Sequence, residues 1–275
     1  MKRLWHILAV LMIAACDNSY LESGNIEELV VEGWIESGHA PVVMVSGTLP
    51  VSSTPQPVAN IRDHILRYAE VYIDYSGGRE YLTSRLTDRF SVSNYFTSPT
   101  LRGVAGETYS LHVKWQEFEA SAVCTIPEPA AIDTVYMEKA IDDTSFVAKM
   151  VFRNDPKAGT LYQTFRRAGS PRNAYEAVNF TTLDGALMDT VIVESFLKPM
   201  KNLKTVDVHF HPGDTLALKL ATIERSMYEF WKEFADYTNS TGTVFSAPRS
   251  VKGNVTGAIG YWAGYGIDIR EIICR

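Results

Sequence analysis

The chain has 275 residues, of which 46% are hydrophobic and 21% are charged, and its net charge is −6. The acidic balance, without a cluster of lysines and arginines, argues against a nucleic-acid partner and against binding to anionic lipid by charge alone. The length is sufficient for two domains of typical size.

The N-terminus has the parts of a bacterial signal peptide. A basic start is followed by the apolar segment Leu4 to Ala15, which ends in small residues. About twelve apolar residues are too few to span a bilayer as a helix, which takes roughly 20. Cys16 follows directly, as in a bacterial lipobox, where the thiol is acylated. We therefore expect residues 1–15 to be a lipoprotein signal peptide, Cys16 to carry the lipid (palmitate among its chains), and residues 16–28 to form a polar tether.

The first half of the chain shows the period-2 alternation of strands with one buried face. A turn at Gln116-Glu117 predicts a hairpin, and Pro127 and Pro129 end its second strand because proline cannot donate to a ladder. These features predict an N-terminal β-sandwich domain over residues 29–129. Its clearest strands are expected at Leu29–Ile35, Pro41–Ser46, Ala69–Tyr75, Tyr109–Trp115 and Phe118–Cys124.

The second half, residues 130–275, is predicted to be a further β-rich domain with one amphipathic helix near 224–237. An apolar stripe runs through that helix, and Ser226-x-x-Glu229 fits a capping box. A glycine-rich tail follows, typical of a strand against which another backbone or a ring packs closely. Strands are expected at Phe146–Phe152, Leu161–Arg166, Thr190–Phe196, Val206–His211 and Thr215–Thr222.

Cys124 and Cys274 remain after the lipid site is assigned. An exported protein is in a compartment that permits disulfides, so the two are a candidate disulfide. The alternative is that Cys124 is a small buried residue and Cys274 a frayed terminal thiol. Spacing alone does not decide between them.

His209 and His211 are at i, i+2 on a predicted strand and would share one face. A zinc site needs a third ligand, for which only Asp207 and Asp214 are local, so a strand-end histidine pair is the simpler interpretation. No metalloprotease, nucleophile-elbow or phosphate-loop motif is present, and the sequence predicts no cofactor and no catalytic residue.

Aromatic residues are the other candidate for binding chemistry, because their rings stack on sugars and other ligands. Trp115 and Trp231 are on predicted core faces. Tyr261, Trp262 and Tyr265, together with Trp34, are candidates for ligand stacking, and their glycine neighbours either allow close packing or leave the rings accessible.

A series of short motifs follows the lipobox in order. They are Leu29-Val-Val-Glu-Gly-Trp-Ile35, Gly106-Glu-Thr-Tyr-Ser-Leu-His-Val113, Ile126-Pro-Glu-Pro-Ala-Ala-Ile-Asp133, Tyr228-Glu-Phe-Trp231 and Gly253-Asn254 with Gly260-Tyr-Trp262. Together they resemble the Bacteroidota lipoproteins grouped as domain of unknown function 4249, which are often encoded beside TonB-dependent receptors. The resemblance implies an outer-membrane lipoprotein with an N-terminal immunoglobulin-like or carboxypeptidase-regulatory-like sandwich, and it implies no established activity.

Three functional hypotheses follow. In the first, the protein is a non-enzymatic accessory or binding component of a TonB-dependent uptake system, lipid-anchored in the cell outer membrane on its periplasmic or surface face. In the second, it is a structural or adhesive surface lipoprotein. In the third, it is a hydrolase whose active-site residues are dispersed along the sequence.

Overall fold

The structure is a computed structural model. It describes residues 28–48, 64–88, 93–140, 145–154, 156–185, 190–194, 210–240 and 251–275. The expected lipidation site, Cys16, and the expected signal peptide therefore lie outside the described residues. Within them, no helix has both the length and the apolar character needed to cross a membrane.

The described part is mainly β, which confirms the predicted fold class. One α-helix, α1 (Arg225–Ser240), and a 3₁₀ turn (Pro156–Ala158) accompany the strands. The strands are β1 (Leu29–Glu36), β2 (Val42–Gly47), β3 (Glu70–Tyr75), β4 (Gly78–Tyr81), β5 (Thr83–Leu86), β6 (Asn94–Thr97), β7 (Thr108–Trp115), β8 (Phe118–Thr125), β9 (Thr134–Lys139), β10 (Phe146–Arg153), β11 (Leu161–Ala168), β12 (Glu176–Asp184), β13 (Thr190–Glu194), β14 (Thr215–Ile223) and β15 (Ile259–Ile273).

An eight-stranded sheet forms the centre of the fold, in the order β12-β11-β14-β15-β1-β2-β6-β5. Its neighbours pair antiparallel except β1 and β15, which run parallel with Glu32 opposite Tyr261 and Glu36 opposite Tyr265. The sheet contains strands from both sides of residue 129. The division into domains 29–129 and 130–275 stays a prediction.

One end of this sheet is half of a β-sandwich. A four-stranded sheet, β4-β3-β7-β8, covers the face that carries Val31, Ile35 and Trp262. Gly33 lies opposite Trp262, and a Cβ atom at Gly33 would stand 2.9 Å from the indole ring. The missing side chain therefore makes room for the largest residue of this core.

A three-stranded sheet, β13-β10-β9, covers the other end of the same face. Phe152 of β10 packs there with Tyr162 of β11 and with alternate leucines of β14, among them Leu218. Two separate hydrophobic clusters thus lie side by side on one face of the large sheet. The opposite face is left for α1 and for the cavity described below.

Helix α1 packs against β11 and β12, with Met227 buried and Phe230 and Trp231 half-buried between helix and sheet. The predicted helix is confirmed, but the predicted capping box is wrong. The Glu224 carbonyl accepts the first helical N–H bonds, at 3.1 Å from Met227 and 3.0 Å from Tyr228, so Ser226 already lies inside the first turn.

The second part of the glycine tail belongs to the long strand β15, as its composition predicts, whereas residues 253–258 lie outside that strand. A Cβ atom at Gly264 would stand 2.4 Å from the Thr125 carbonyl oxygen, and one at Gly266 would stand 2.1 Å from that of Pro127. The segment after β8 therefore lies directly against the backbone of β15. Only glycine permits this approach.

A candidate ligand-binding cavity

A cavity of about 500 Å³ lies on the face of the eight-stranded sheet that carries α1. Its volume is within the roughly 300–1,000 Å³ of typical small-molecule sites. Among the described residues, seven aromatic rings line it, from strands, from α1 and from the loop before β12. They are Trp34, Tyr95, Phe165, Tyr175, Trp231, Tyr261 and Tyr265.

The alternation of β15 explains how two of these rings reach the cavity. Tyr261 and Tyr265 are four residues apart on one strand and therefore share a face. Trp231 Nε1 donates to the Tyr265 hydroxyl at 3.3 Å, and its ring lies 6.3 Å from that of Tyr261. Burial raises the pKa of both tyrosines. Both hydroxyls therefore stay protonated at neutral pH.

A buried ion pair lies at the base of the cavity. Lys219 of β14 donates from Nζ to Glu36 Oε1 of β1 at 2.5 Å, and the two residues are 4% and 8% exposed. The ammonium also lies 4.1 Å from the ring centroid of Tyr175 and 4.7 Å from that of Phe165. One carboxylate and two aromatic faces thus compensate the charge that burial would otherwise penalise.

The other cation of the cavity wall is also paired. Arg167 of β11 donates from Nη2 to Glu271 Oε1 of β15 at 2.8 Å. Its guanidinium carbon lies 4.8 Å from the ring centroid of Tyr175. Both cations in the wall therefore have a carboxylate partner, and the cavity carries no large excess of either charge.

The structure agrees only in part with the aromatic residues predicted from sequence. The candidates Tyr261, Tyr265 and Trp34 line the cavity, and so does Trp231, which was predicted to lie on a core face and packs half-buried between helix and sheet. Trp262, the remaining stacking candidate, is not accessible, which decides for the close-packing alternative. It is fully buried on the opposite face of β15, and its Nε1 donates to the Tyr109 carbonyl at 3.0 Å.

Trp115, predicted to lie on a core face, is half-buried against the sandwich core. Sequence reasoning missed Tyr95, Phe165 and Tyr175, because nothing in a local pattern brings β6, β11 and the loop before β12 together. Lys219 did carry a signal: it is the one charged residue in the apolar strand Thr215–Ile223. A lysine at such a position needs a buried partner.

Cys124 and Cys274 are both buried and both free, so the structure does not contain the candidate disulfide. Cys124 belongs to the sandwich core and Cys274 to the cluster under the three-stranded sheet. Cys274 is not frayed, since its N–H donates to the Asp214 carbonyl at 2.8 Å. Burial raises the pKa of both thiols, most strongly for Cys124, which keeps them protonated.

The candidate metal ligands cannot be placed as a set. His209 and Asp207 lie outside the described residues, whereas His211 is exposed and donates its backbone N–H to Asp214 Oδ2 at 2.8 Å. Among the residues that the structure describes, no group of three His, Cys, Asp or Glu side chains has metal-binding geometry.

The described cavity wall offers several groups that can bind a ligand. It contains no serine or cysteine, and its histidine, His39, donates from Nδ1 to the Ser37 carbonyl at 3.0 Å. Aromatic faces, phenol hydroxyls and a paired ammonium and carboxylate are typical of recognition rather than of covalent catalysis.

Comparison with known proteins agrees with the resemblance seen in the motifs. No curated protein matches the chain. A family model described as a domain of unknown function, DUF4249, matches residues 20–270, which covers nearly all of the described strands and the whole cavity wall. The chain therefore belongs to the DUF4249 family.

Proposed function

We propose that this protein is a non-enzymatic, lipid-anchored binding protein of the outer membrane that serves a TonB-dependent uptake system. The observation that carries the proposal is the aromatic cavity of about 500 Å³ with its buried Lys219–Glu36 pair. A β-sheet supports most of the wall. Few protein groups would therefore become ordered when a ligand binds, and the loss of conformational entropy on binding would be small.

The anchor and the partner are supported by different observations. The lipobox at Cys16 supports acylation, and two or three long acyl chains hold a protein firmly where one is marginal. The family resemblance supports a TonB-dependent receptor as the partner. A binding protein held in the same membrane as a receptor would raise the ligand concentration near that receptor.

Two measurements test the anchor and the partner separately. Growth with labelled palmitate should label the wild-type chain and not a Cys16→Ser variant, and the variant should leave the membrane fraction. Purification of the wild-type protein in mild detergent should recover a TonB-dependent receptor.

Wild-type protein without label would refute the anchor. Recovery of large homopolymers and no receptor would favour the structural or adhesive alternative.

A further inference from the structure

The chemistry of the cavity also narrows the class of its ligand. We infer that it binds an uncharged, polyhydroxylated ring, such as a sugar unit of a neutral glycan, whose hydroxyls bond to the Lys219–Glu36 pair while its faces stack on the aromatic wall. This inference rests on the proposed binding function, and it adds the ligand that the cavity would take.

Charge balance is the first argument. Lys219 is paired with Glu36 and Arg167 with Glu271, at nitrogen–oxygen distances of 2.5 and 2.8 Å. An anionic ligand that accepted from these cations would lie beside the Glu36 or Glu271 carboxylate, and repulsion between like charges would oppose its binding. A cationic ligand would meet the Lys219 ammonium, which already lies over the faces of Phe165 and Tyr175. An uncharged ligand incurs neither cost.

Unused hydrogen-bonding capacity is the second argument. The Lys219 ammonium has three N–H donors, and one of them goes to Glu36 Oε1. Among the described residues, no hydrogen bond engages Glu36 Oε2. Further hydrogen bonds to these remaining groups would offset more of the desolvation penalty of the buried pair. Adjacent hydroxyls on one ring match this arrangement, because one can donate to the carboxylate while the next accepts from the ammonium.

The wall supplies the third argument. Trp34 and Tyr261 lie on adjacent strands, β1 and β15, and Trp231 faces the sheet from α1. Aromatic faces favour ligands that present C–H groups or rings, whereas the paired charges below them require hydroxyls. A sugar ring has both properties. A purely apolar ligand such as an acyl chain would leave the remaining N–H donors of Lys219 and the Oε2 atom of Glu36 without hydrogen bonds.

The test uses the full-length lipidated protein, purified in a detergent without a sugar headgroup so that the detergent does not compete. An array of neutral, acidic and amino-sugar oligosaccharides is screened first. The best neutral oligosaccharide is then titrated by calorimetry and by tryptophan fluorescence. Trp34 and Trp231 line the cavity, so binding of this ligand should change the emission.

Variants assign the binding to the cavity. Trp34→Leu should weaken binding about tenfold or more through lost stacking, whereas Trp115→Leu, a half-buried tryptophan outside the cavity, should leave binding unchanged. The double variant Glu36→Gln/Lys219→Met leaves no unpaired charge. It should bind about ten to a hundred times more weakly, since the ammonium donor and the charged acceptor are both lost while the glutamine carbonyl at position 36 remains as a neutral acceptor.

Binding to neutral glycans that both cavity variants weaken would support the assignment. Binding only to acidic or amino sugars, binding to no glycan, or an affinity unaffected by Trp34→Leu would overturn it. Receptor capture is scored on the same preparation. Capture without binding to neutral glycans would refute the ligand class alone, whereas binding to neutral glycans without capture would refute the uptake partner alone.

Discussion

Replacing Glu36 with glutamine should strongly destabilise the protein, because Lys219 would keep a buried charge without its counter-charge. Only 4% of Lys219 is exposed, and its ammonium has one carboxylate partner at 2.5 Å. Breaking a buried pair from one side costs about 3–5 kcal/mol. For a chain of this size that corresponds to a fall in melting temperature of about 6–20 °C.

The double variant Glu36→Gln/Lys219→Met should recover most of this loss. Replacing both members of a buried pair is often nearly neutral, because the desolvation penalty disappears together with the attraction. The change in unfolding free energy of the double variant, minus the sum of the changes for the two single variants, measures the coupling between Glu36 and Lys219. Thermal unfolding of the soluble body, residues 25–275, followed by circular dichroism, provides all four melting temperatures.

An exposed pair of the same residue types is the matched control. Lys114 Nζ lies 2.7 Å from Glu119 Oε1, and the two side chains are 54% and 69% exposed. Glu119→Gln should leave the melting temperature close to that of the wild type, since solvent screens exposed pairs. If Glu36→Gln lowers the melting temperature no more than Glu119→Gln does, the assignment of a buried pair is refuted.

Three further predictions concern the thiols, the glycine strand and one carboxylate. Cys124 and Cys274 should resist a thiol reagent in the folded protein and both react after unfolding, because burial keeps them protonated and inaccessible. Gly266→Ala should lower the melting temperature more than Gly213→Ala. The new Cβ at position 266 would meet a carbonyl oxygen at 2.1 Å, whereas a Cβ at position 213 has open space and adds only backbone strain at φ 98°. Glu224→Gln should raise the melting temperature at neutral pH, because burial raises the pKa of Glu224 and penalises the charged carboxylate of the wild type. The difference in melting temperature should disappear as the pH falls below 4.5, where the wild-type carboxyl is protonated.

Each of these predictions has an outcome that contradicts it. If no thiol reacts after unfolding without reductant, the two cysteines are joined as a disulfide. Equal melting temperatures for the two alanine variants would mean that β15 does not contact the neighbouring backbone as described. A stabilisation by Glu224→Gln that is the same at pH 4 and pH 7.5 would show that the carboxylate charge is not its cause.

Strands with one buried face could be predicted well from sequence. The alternation in Ala69–Tyr75 and Tyr109–Trp115 places apolar side chains at every second position, and the structure has the strands Glu70–Tyr75 and Thr108–Trp115 there with alternate residues buried. Five strands were missed, namely Gly78–Tyr81, Thr83–Leu86, Asn94–Thr97, Thr134–Lys139 and Glu176–Asp184. The first two are short, polar and largely exposed, so no hydrophobic period marks them.

By itself, the sequence determined the fold class, the helix at Arg225–Ser240, the close packing along the glycine strand and the family resemblance, because each depends on local periodicity or on short motifs. Tertiary structure alone decided that β1 and β15 pair in parallel across more than two hundred residues, and this pairing brings Glu36 beside Tyr265. It also decided that Tyr261 faces the cavity while its neighbour Trp262 is buried behind the sheet. A period of two places adjacent residues on opposite faces, but only the packed layers show which face holds the core and which holds the cavity.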